Sequence, residues 1–133
     1  SFVRHELASC QLLGAWAASR LGDRTALDRV FAAMAIIDEG DERVLRSCLR
    51  SFLGDACLAG GDERAGAVLD EARAEAEGSG ERWWLAETIR LQAEVARRAG
   101  DESLADTRLA EAEALARKQG AGTVLARIEA ARR

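Results

Sequence analysis

Residues Gly54–Asp62, with the sequence GDACLAGGD, place a small residue seven positions before a glycine that is followed by aspartate. The same form occurs in Ala15–Asp23 (AWAASRLGD) and in Ala93–Asp101 (AEVARRAGD), so the turn glycines recur 39 residues apart. Glycine favours the left-handed position just past a helix end, and aspartate favours the cap of the helix that follows. Three copies at one period predict three helix–turn–helix units in a repeat architecture.

Other glycine-containing breaks separate these units, at residues 40–41, 78–80 and 120–122. Between the breaks, apolar residues recur at the three- and four-residue spacing of an amphipathic helix. The sequence therefore predicts seven helices, at residues 2–21, 24–39, 42–60, 63–77, 82–99, 102–119 and 122–132. Their pairing predicts one domain over residues 1–133, with hairpins at about 2–39, 42–78 and 82–119 and a capping helix at 122–132.

The composition supports an all-α fold. The chain has 133 residues, with three Phe, three Trp and no Tyr or Pro, and its apolar content is mainly Ala, Leu and Val. Ala and Leu are strong helix formers, and the absence of proline leaves long helices uninterrupted. The first helix of each unit carries its small residue where two helices cross closely, at Ala15, Gly54 and Ala93.

Charge and cysteine content exclude several classes of function. A net charge of −4 argues against direct nucleic-acid contact, which needs a basic surface. No apolar run approaches the ~20 residues of a membrane span. The three cysteines, Cys10, Cys48 and Cys57, fit no metal or redox motif, so we expect reduced, partly buried thiols in a cytoplasmic protein.

The residues that carry chemistry do not converge on a catalytic arrangement. The one histidine, His5, stands five residues before Cys10, a poor spacing for shared metal ligation on one helix face. The chain has no phosphate-binding glycine loop, and its glutamates lie on polar helix stripes among arginines. We therefore predict a protein that is not an enzyme and that has no cofactor or metal.

The repeated form of small residue, Gly-Asp and Ala-rich helix resembles the tetratricopeptide repeat. That unit has ~34 residues, whereas the period here is 39 and proline and most of the large aromatic residues are missing. The resemblance covers residues 10–120 and implies a right-handed α-α superhelix of about three hairpins. The first helix of each hairpin would line its concave face.

A narrower resemblance lies in residues 80–120. The segment Gly80–Glu87 (GERWWLAE), followed by Arg90-Leu91 and Glu94, is similar to the C-terminal helical array of bacterial signal-transduction ATPase regulators of the LuxR, maltose-regulator and adenylate-cyclase-linked types. Their ATP-binding, cyclase and DNA-binding motifs are not present here. Because the chain also opens at Ser1 without an initiator Met, we expect a sensor or scaffold fragment of a larger regulator.

The register of the family predicts a partner-binding concave face. Of the adjacent tryptophans, Trp84 is assigned to the core stripe of its helix and Trp83 to a packed or partly exposed position. Leu12 is among the inward positions of the first helix. The residues predicted to meet a partner are Trp16, Arg20, Asp55, Glu87, Arg90, Glu94, Arg97 and Arg98.

These observations predict a binding scaffold. An acidic peptide could lie in the groove, with its carboxylates near Arg90, Arg97 and Arg98. Two alternatives stay open: a helical domain that senses a small ligand near Leu12 and Trp16, and a module that forms homo-oligomers through exposed end repeats. No membrane is expected among the partners.

Overall fold

The computed structural model describes residues 2–133, which form seven α-helices and no strand. The helices are α1 (Phe2–Arg20), α2 (Ala26–Glu39), α3 (Arg46–Ala59), α4 (Ala65–Ser79), α5 (Leu85–Arg98), α6 (Glu102–Gln119) and α7 (Gly122–Ala131). The predicted all-α fold is confirmed. Among these residues, no helix has the length and apolar character that crossing a membrane requires.

Adjacent helices pack into an array. The most extensive contacts join α1 to α2, α3 to α4 and α5 to α6, and α7 packs on α6. Helices α1, α3, α5 and α7 each contact the next in that series, whereas within residues 2–133 the helices α2, α4 and α6 do not pack directly on one another, and an ion pair between Arg73 and Glu111 bridges α4 and α6. The first helices of the hairpins therefore form a continuous inner layer, and the second helices are spread apart outside it. The right-handedness of the superhelix stays a prediction.

The three repeated junctions lie where the sequence places them. Gly22, Gly61 and Gly100 follow the first helices of the hairpins, with φ values of +97°, +65° and +83°. A side chain is strained in this left-handed region, which is why glycine is found there. The predicted turns at all three glycines are confirmed.

The aspartates after these glycines act in two different ways. Asp101 caps α6 as predicted, because its carboxylate accepts the Leu104 N–H at 3.0 Å. Asp23 and Asp62 instead accept the N–H of the residue two positions ahead, each at 2.9 Å. The prediction that each aspartate is a helix cap is correct for one junction and wrong for the other two.

Four helices begin two to four residues later than predicted. Each follows a tight turn in which an amide N–H reaches the carbonyl three residues back, instead of four as in an α-helix. These hydrogen bonds run from Ala26 to Asp23, from Arg46 to Arg43, from Ala65 to Asp62 and from Leu85 to Arg82. The amphipathic pattern continues through such a turn, so it does not mark where the α-helix starts.

The junction at residues 40–41 differs from the other Gly-Asp pairs. Gly40 has extended backbone, with φ −85° and ψ 167°, and Leu45 takes the left-handed conformation at φ +65°. The Arg46 guanidinium donates to the carbonyl oxygens of Gly40 and Glu42 at 2.7 and 2.9 Å. The long side chain of Arg46 thus holds this connection closed.

The small residues of the repeat lie where helices cross. Ala15, Gly54 and Ala93 are all buried, and a Cβ atom at Gly54 would overlap the side chain of Leu69 on α4. Leu69 is itself fully buried, so a larger residue at position 54 would require the hairpin to open. The predicted close crossing is confirmed at α3.

The buried apolar residues form two clusters. One lies mainly among α1–α4 and contains large side chains such as Leu12, Ile37 and Leu69. The other lies mainly among α5, α6 and α7 and is richer in alanine, with Ile128 of α7 fully enclosed. Because Ile128 buries its whole side chain, which is worth about 2 kcal/mol, α7 is an integral part of the array.

Candidate functional site: a cavity on the inner layer

A cavity of about 560 Å³ opens on the inner layer. Side chains from α1, α3, α5 and α7, together with Trp84 just before α5, form its walls. These residues combine a broad apolar surface with arginines and carboxylates, as ligand-binding cavities commonly do. The lining residues are Leu13, Trp16, Arg20, Ser51, Phe52, Asp55, Trp84, Glu87, Arg90, Leu91 and Arg127.

An aromatic row crosses the cavity from α1 to α5. Trp16 meets Phe52 edge to face, with ring centroids 4.7 Å apart, and Phe52 stacks on Trp84 at 5.4 Å with an interplanar angle of 21°. All three rings are partly buried. Such pairs stabilise the packing by about 0.5–1.5 kcal/mol beyond the area that they bury. The row gives the cavity an apolar, aromatic wall.

Asp55 joins the first two inner helices. Its carboxylate accepts the indole N–H of Trp16 at 2.8 Å and lies 3.6 Å from the Arg20 guanidinium. Trp16 and Asp55 are 39 residues apart, which is the repeat length. Equivalent positions of successive inner helices therefore face each other across this interface, and the indole polar atom is satisfied within the protein.

Glu87 joins the last two inner helices. It is only 4% exposed, and its carboxylate accepts hydrogen bonds from Arg90, the shortest at 2.5 Å. Arg127 of α7 lies 3.2 Å from its other oxygen. A buried carboxylate needs such partners, because an isolated charge is strongly disfavoured away from water. The arrangement fixes two guanidinium groups at the edge of the cavity.

A buried hydroxyl pair, of which Ser51 lines the cavity, ties α3 to α5. Thr88 donates to the Ser51 hydroxyl at 3.0 Å, and both residues are buried. Because each buried hydroxyl needs a hydrogen-bond partner, the pair fixes the register between the two helices. Phe52 on α3 and Trp84 before α5 are held facing each other by this contact.

The structure brings five of the eight predicted site residues together. Trp16, Arg20, Asp55, Glu87 and Arg90 line one cavity. The other three lie outside it, towards the end of α5, where Glu94 accepts hydrogen bonds from Arg97 and Arg98. Arg98 also donates to the Leu58 carbonyl at 2.6 Å. Of the three arginines in the acidic-peptide hypothesis, Arg90 lines the cavity and Arg97 and Arg98 lie outside it, and their contact with a partner stays a prediction.

Two inward assignments need correction. Leu12 is fully buried in the core, and its neighbour Leu13 lines the cavity instead. Trp84 does not lie on the stripe of a helix, because α5 begins one residue later, at Leu85. Its place in the preceding turn directs the ring towards Phe52. Trp83 is 54% exposed, in agreement with the partly exposed position expected for it.

Sequence reasoning missed several lining residues that the repeat period could have identified. Leu13, Phe52 and Leu91 follow one another at intervals of 39 residues, and all three line the cavity. Arg127 lies 39 residues after Thr88, which itself faces the inner layer. The same period does not identify Arg127, because the next position after Leu91 is Ala130, and neither Ala130 nor Thr88 lines the cavity.

The thiols and carboxylates of the chain do not converge on a metal or a nucleophile. Burial raises the pKa of Cys48 and of Cys57 to about 12, so both stay as protonated thiols, which are poor nucleophiles. Cys10 is exposed rather than partly buried, and all three cysteines are free. Within residues 2–133, no group of three or more His, Cys, Asp and Glu side chains is placed to hold a metal ion.

No family model, curated protein or solved structure matches this chain. The resemblances to the tetratricopeptide repeat and to the helical arrays of bacterial regulators therefore stay predictions. The cavity has to be interpreted from its own residues.

Proposed function

We propose that this chain is a non-catalytic binding scaffold, and that it binds a protein or peptide partner on its inner layer. The observation that carries the proposal is the cavity in which four inner helices present an aromatic row beside three arginines. Tryptophan and arginine are the residues that most often dominate the binding energy of interfaces. Since the lining residues come from all the inner helices, a bound segment would contact the whole array.

The biological setting follows from the sequence resemblance. We propose that the array is the sensor or scaffold part of a larger bacterial signalling or transcriptional regulator that works in the cytoplasm. In that setting, binding in the cavity would bias the helical array, and other parts of the regulator would respond. The parent open reading frame tests this directly, since a nucleotide-binding core encoded upstream supports it. An unrelated enzyme or a structural protein encoded there contradicts it.

The binding proposal is tested with peptides selected from a random library displayed on phage. We expect the selected peptides to bind the wild-type chain and to lose at least tenfold in affinity for Trp84→Ala, since truncating a central aromatic anchor costs more than about 1.4 kcal/mol. Trp83→Ala is the matched control, because Trp83 is adjacent in sequence but does not line the cavity. Equal binding to both variants would place the binding site elsewhere.

A small-ligand sensor is the second candidate. The cavity volume of about 560 Å³ lies within the roughly 300–1,000 Å³ that is typical of small-molecule sites. A screen by nuclear magnetic resonance, which follows the indole N–H signals, tests this candidate. Compounds that shift the Trp16 and Trp84 signals and leave that of Trp83 unchanged support it.

A further inference from the structure

The cavity presents more positive than negative charge. Its lining contains three arginines, Arg20, Arg90 and Arg127, against two carboxylates, Asp55 and Glu87, which leaves one positive charge. Both carboxylates already have partners: Asp55 accepts the Trp16 N–H and pairs with Arg20. Glu87 is buried and bound on both oxygens. The charge that remains to meet a ligand is cationic.

The two arginines around Glu87 keep hydrogen-bonding capacity. A guanidinium has five N–H donors in a planar fork. Arg90 donates to Glu87 through Nε and Nη2, and Arg127 approaches it through Nη1. Among the described residues, no acceptor meets Nη1 of Arg90 or Nη2 of Arg127. Because Glu87 holds both groups in place, their outward donors are fixed before a ligand arrives.

The apolar wall lies in the same cavity as this arginine pair. Phe52 and Trp84 stack nearly parallel, and Leu13 and Leu91 complete the surface around them. The indole N–H of Trp16 is committed to Asp55, so this wall recognises shape more than hydrogen bonds. An aromatic wall suits an apolar, aromatic body, and one positive charge suits a single anionic group.

We propose that the cavity binds an organic carboxylate with a flat, apolar body. The carboxylate meets Arg90 and Arg127 in the planar, paired geometry that guanidinium groups favour, and the body lies along Phe52 and Trp84. This inference rests on the proposed function, since it names the chemistry of the same site. The carboxylate belongs either to a small aromatic acid or to the C-terminal aromatic residue of a peptide.

The test compares matched acids and amides. Calorimetry measures the binding of 2-naphthylacetate and of the neutral 2-naphthylacetamide to the whole chain, while nuclear magnetic resonance follows the indole N–H signals. We expect the amide to bind at least roughly tenfold more weakly, because it loses the charge-assisted hydrogen bonds. Acetate alone, which lacks the apolar body, should not bind measurably. A peptide ending in Phe, compared as free acid and as amide, shows whether the carboxylate can come from a polypeptide.

Arg127 of α7 and Arg132, the residue just after that helix, provide the control for position. Arg127→Gln removes a guanidinium donor from the cavity and should lower the affinity for 2-naphthylacetate roughly tenfold. Arg132→Gln removes an equivalent charge whose partner is Glu113, outside the cavity, and should change the affinity less than twofold. Equal effects of the two substitutions would show that only the net charge of the helix matters and would overturn the assignment.

Failure of this inference can be told apart from failure of the proposed function. If acid and amide bind equally and both shift the Trp16 and Trp84 signals, the preference for an anion is wrong and the cavity remains the binding site. If neither compound binds and the C-terminal acid peptide has no advantage over its amide, the carboxylate proposal is overturned. Peptides that bind Trp84→Ala and Trp83→Ala equally overturn the proposed function itself.

Discussion

Two clusters of arginine and carboxylate groups in this protein are built in opposite ways. In the inner cluster, Glu87 is buried and its partners Arg90 and Arg127 reach the solvent. In the outer cluster, Arg50 of α3 is buried, and carboxylates of α2 and α4 surround it. The side chain of Arg50 is 7% exposed and its bonded partners are Asp38 and Glu75, with Glu71 at 3.8 Å. Which member of the pair is buried decides which charge the surface presents.

The outer cluster engages every nitrogen of its central group, the Arg50 guanidinium. Arg50 donates through Nη1 and Nη2 to Asp38 and through Nε to Glu75. Burial alone would lower the pKa of Arg50, but the hydrogen bonds that Arg50 donates to the two carboxylates outweigh this effect and raise the pKa above its ordinary value. The cluster therefore joins three helices and engages all three guanidinium nitrogens of Arg50. The inner cluster keeps donors at its edge, which makes it the better candidate for binding.

The largest expected effect comes from removing the buried arginine. Arg50→Ala should lower the free energy of unfolding by about 3 kcal/mol, because it leaves carboxylates of α2 and α4 without their common partner. Urea denaturation measures this loss. Arg97→Ala, which breaks an exposed pair with Glu94, is the control and should cost less than about 1 kcal/mol. Equal losses would show that Arg50 is not a structural centre.

Removing the buried carboxylate of the inner cluster should have a smaller effect. Glu87→Ala frees Arg90 and Arg127, whose side chains are 20% and 48% exposed and can turn to water, so we expect a loss of about 1–2 kcal/mol. Hydrogen exchange of the α7 amides should accelerate in the same variant, because Arg127 no longer ties α7 to α5.

Glu113→Ala is the matched control for that experiment. Glu113 also accepts hydrogen bonds from an arginine of its own helix, Arg117, and from Arg132 just after α7, but its side chain is 25% exposed. Glu113→Ala should therefore lower the free energy of unfolding less than Glu87→Ala does. A larger loss for Glu113→Ala would contradict the assignment of Glu87 as the buried centre of the inner cluster.

Substitutions of Arg127 in α7 and of Arg132 just after it should differ more in their effect on binding than in their effect on stability. Arg127→Gln and Arg132→Gln each break one partly exposed ion pair, so their free energies of unfolding should lie within about 0.5 kcal/mol of each other. Thermal denaturation measures both. If Arg127→Gln lowers the free energy of unfolding as much as Arg50→Ala does, the inner cluster stabilises the fold as strongly as the outer cluster does, which contradicts this prediction.

The smallest expected effect is the pH-dependent stability that the partly exposed ion pair between Arg73 and Glu111 contributes. The hydrogen bond from Arg73 is the main cause that lowers the pKa of Glu111 below its ordinary value. A lowered folded-state pKa contributes stability above the unfolded pKa of about 4.3, and this is lost as the pH falls through the folded value. Arg73→Gln should thus remove less than about 1 kcal/mol at pH 7. The difference from wild type should shrink below pH 4, as measured by urea denaturation across pH.

Local signals in the sequence determined most of the fold. The glycines at 22, 61 and 100, the small residues Ala15 and Gly54, and the apolar periodicity each act within one turn or one helix crossing. The local structure that these signals predict does not depend on residues distant in the sequence. The predicted starts of four helices are too early, because a tight turn and the first turn of an α-helix place apolar side chains at similar spacings. Only the hydrogen bonds distinguish them.

The amino-acid sequence by itself determined that this protein is an array of helical pairs whose first helices carry Trp16, Asp55, Glu87 and Arg90 towards one side. The tertiary structure alone decided that Arg127 meets Glu87, that Phe52 stacks on Trp84, and that Arg97 and Arg98 lie outside the cavity. The physical reason is that periodicity fixes the face of a helix, whereas a site between helices depends on their crossing angles and on the exact residue at which each one starts.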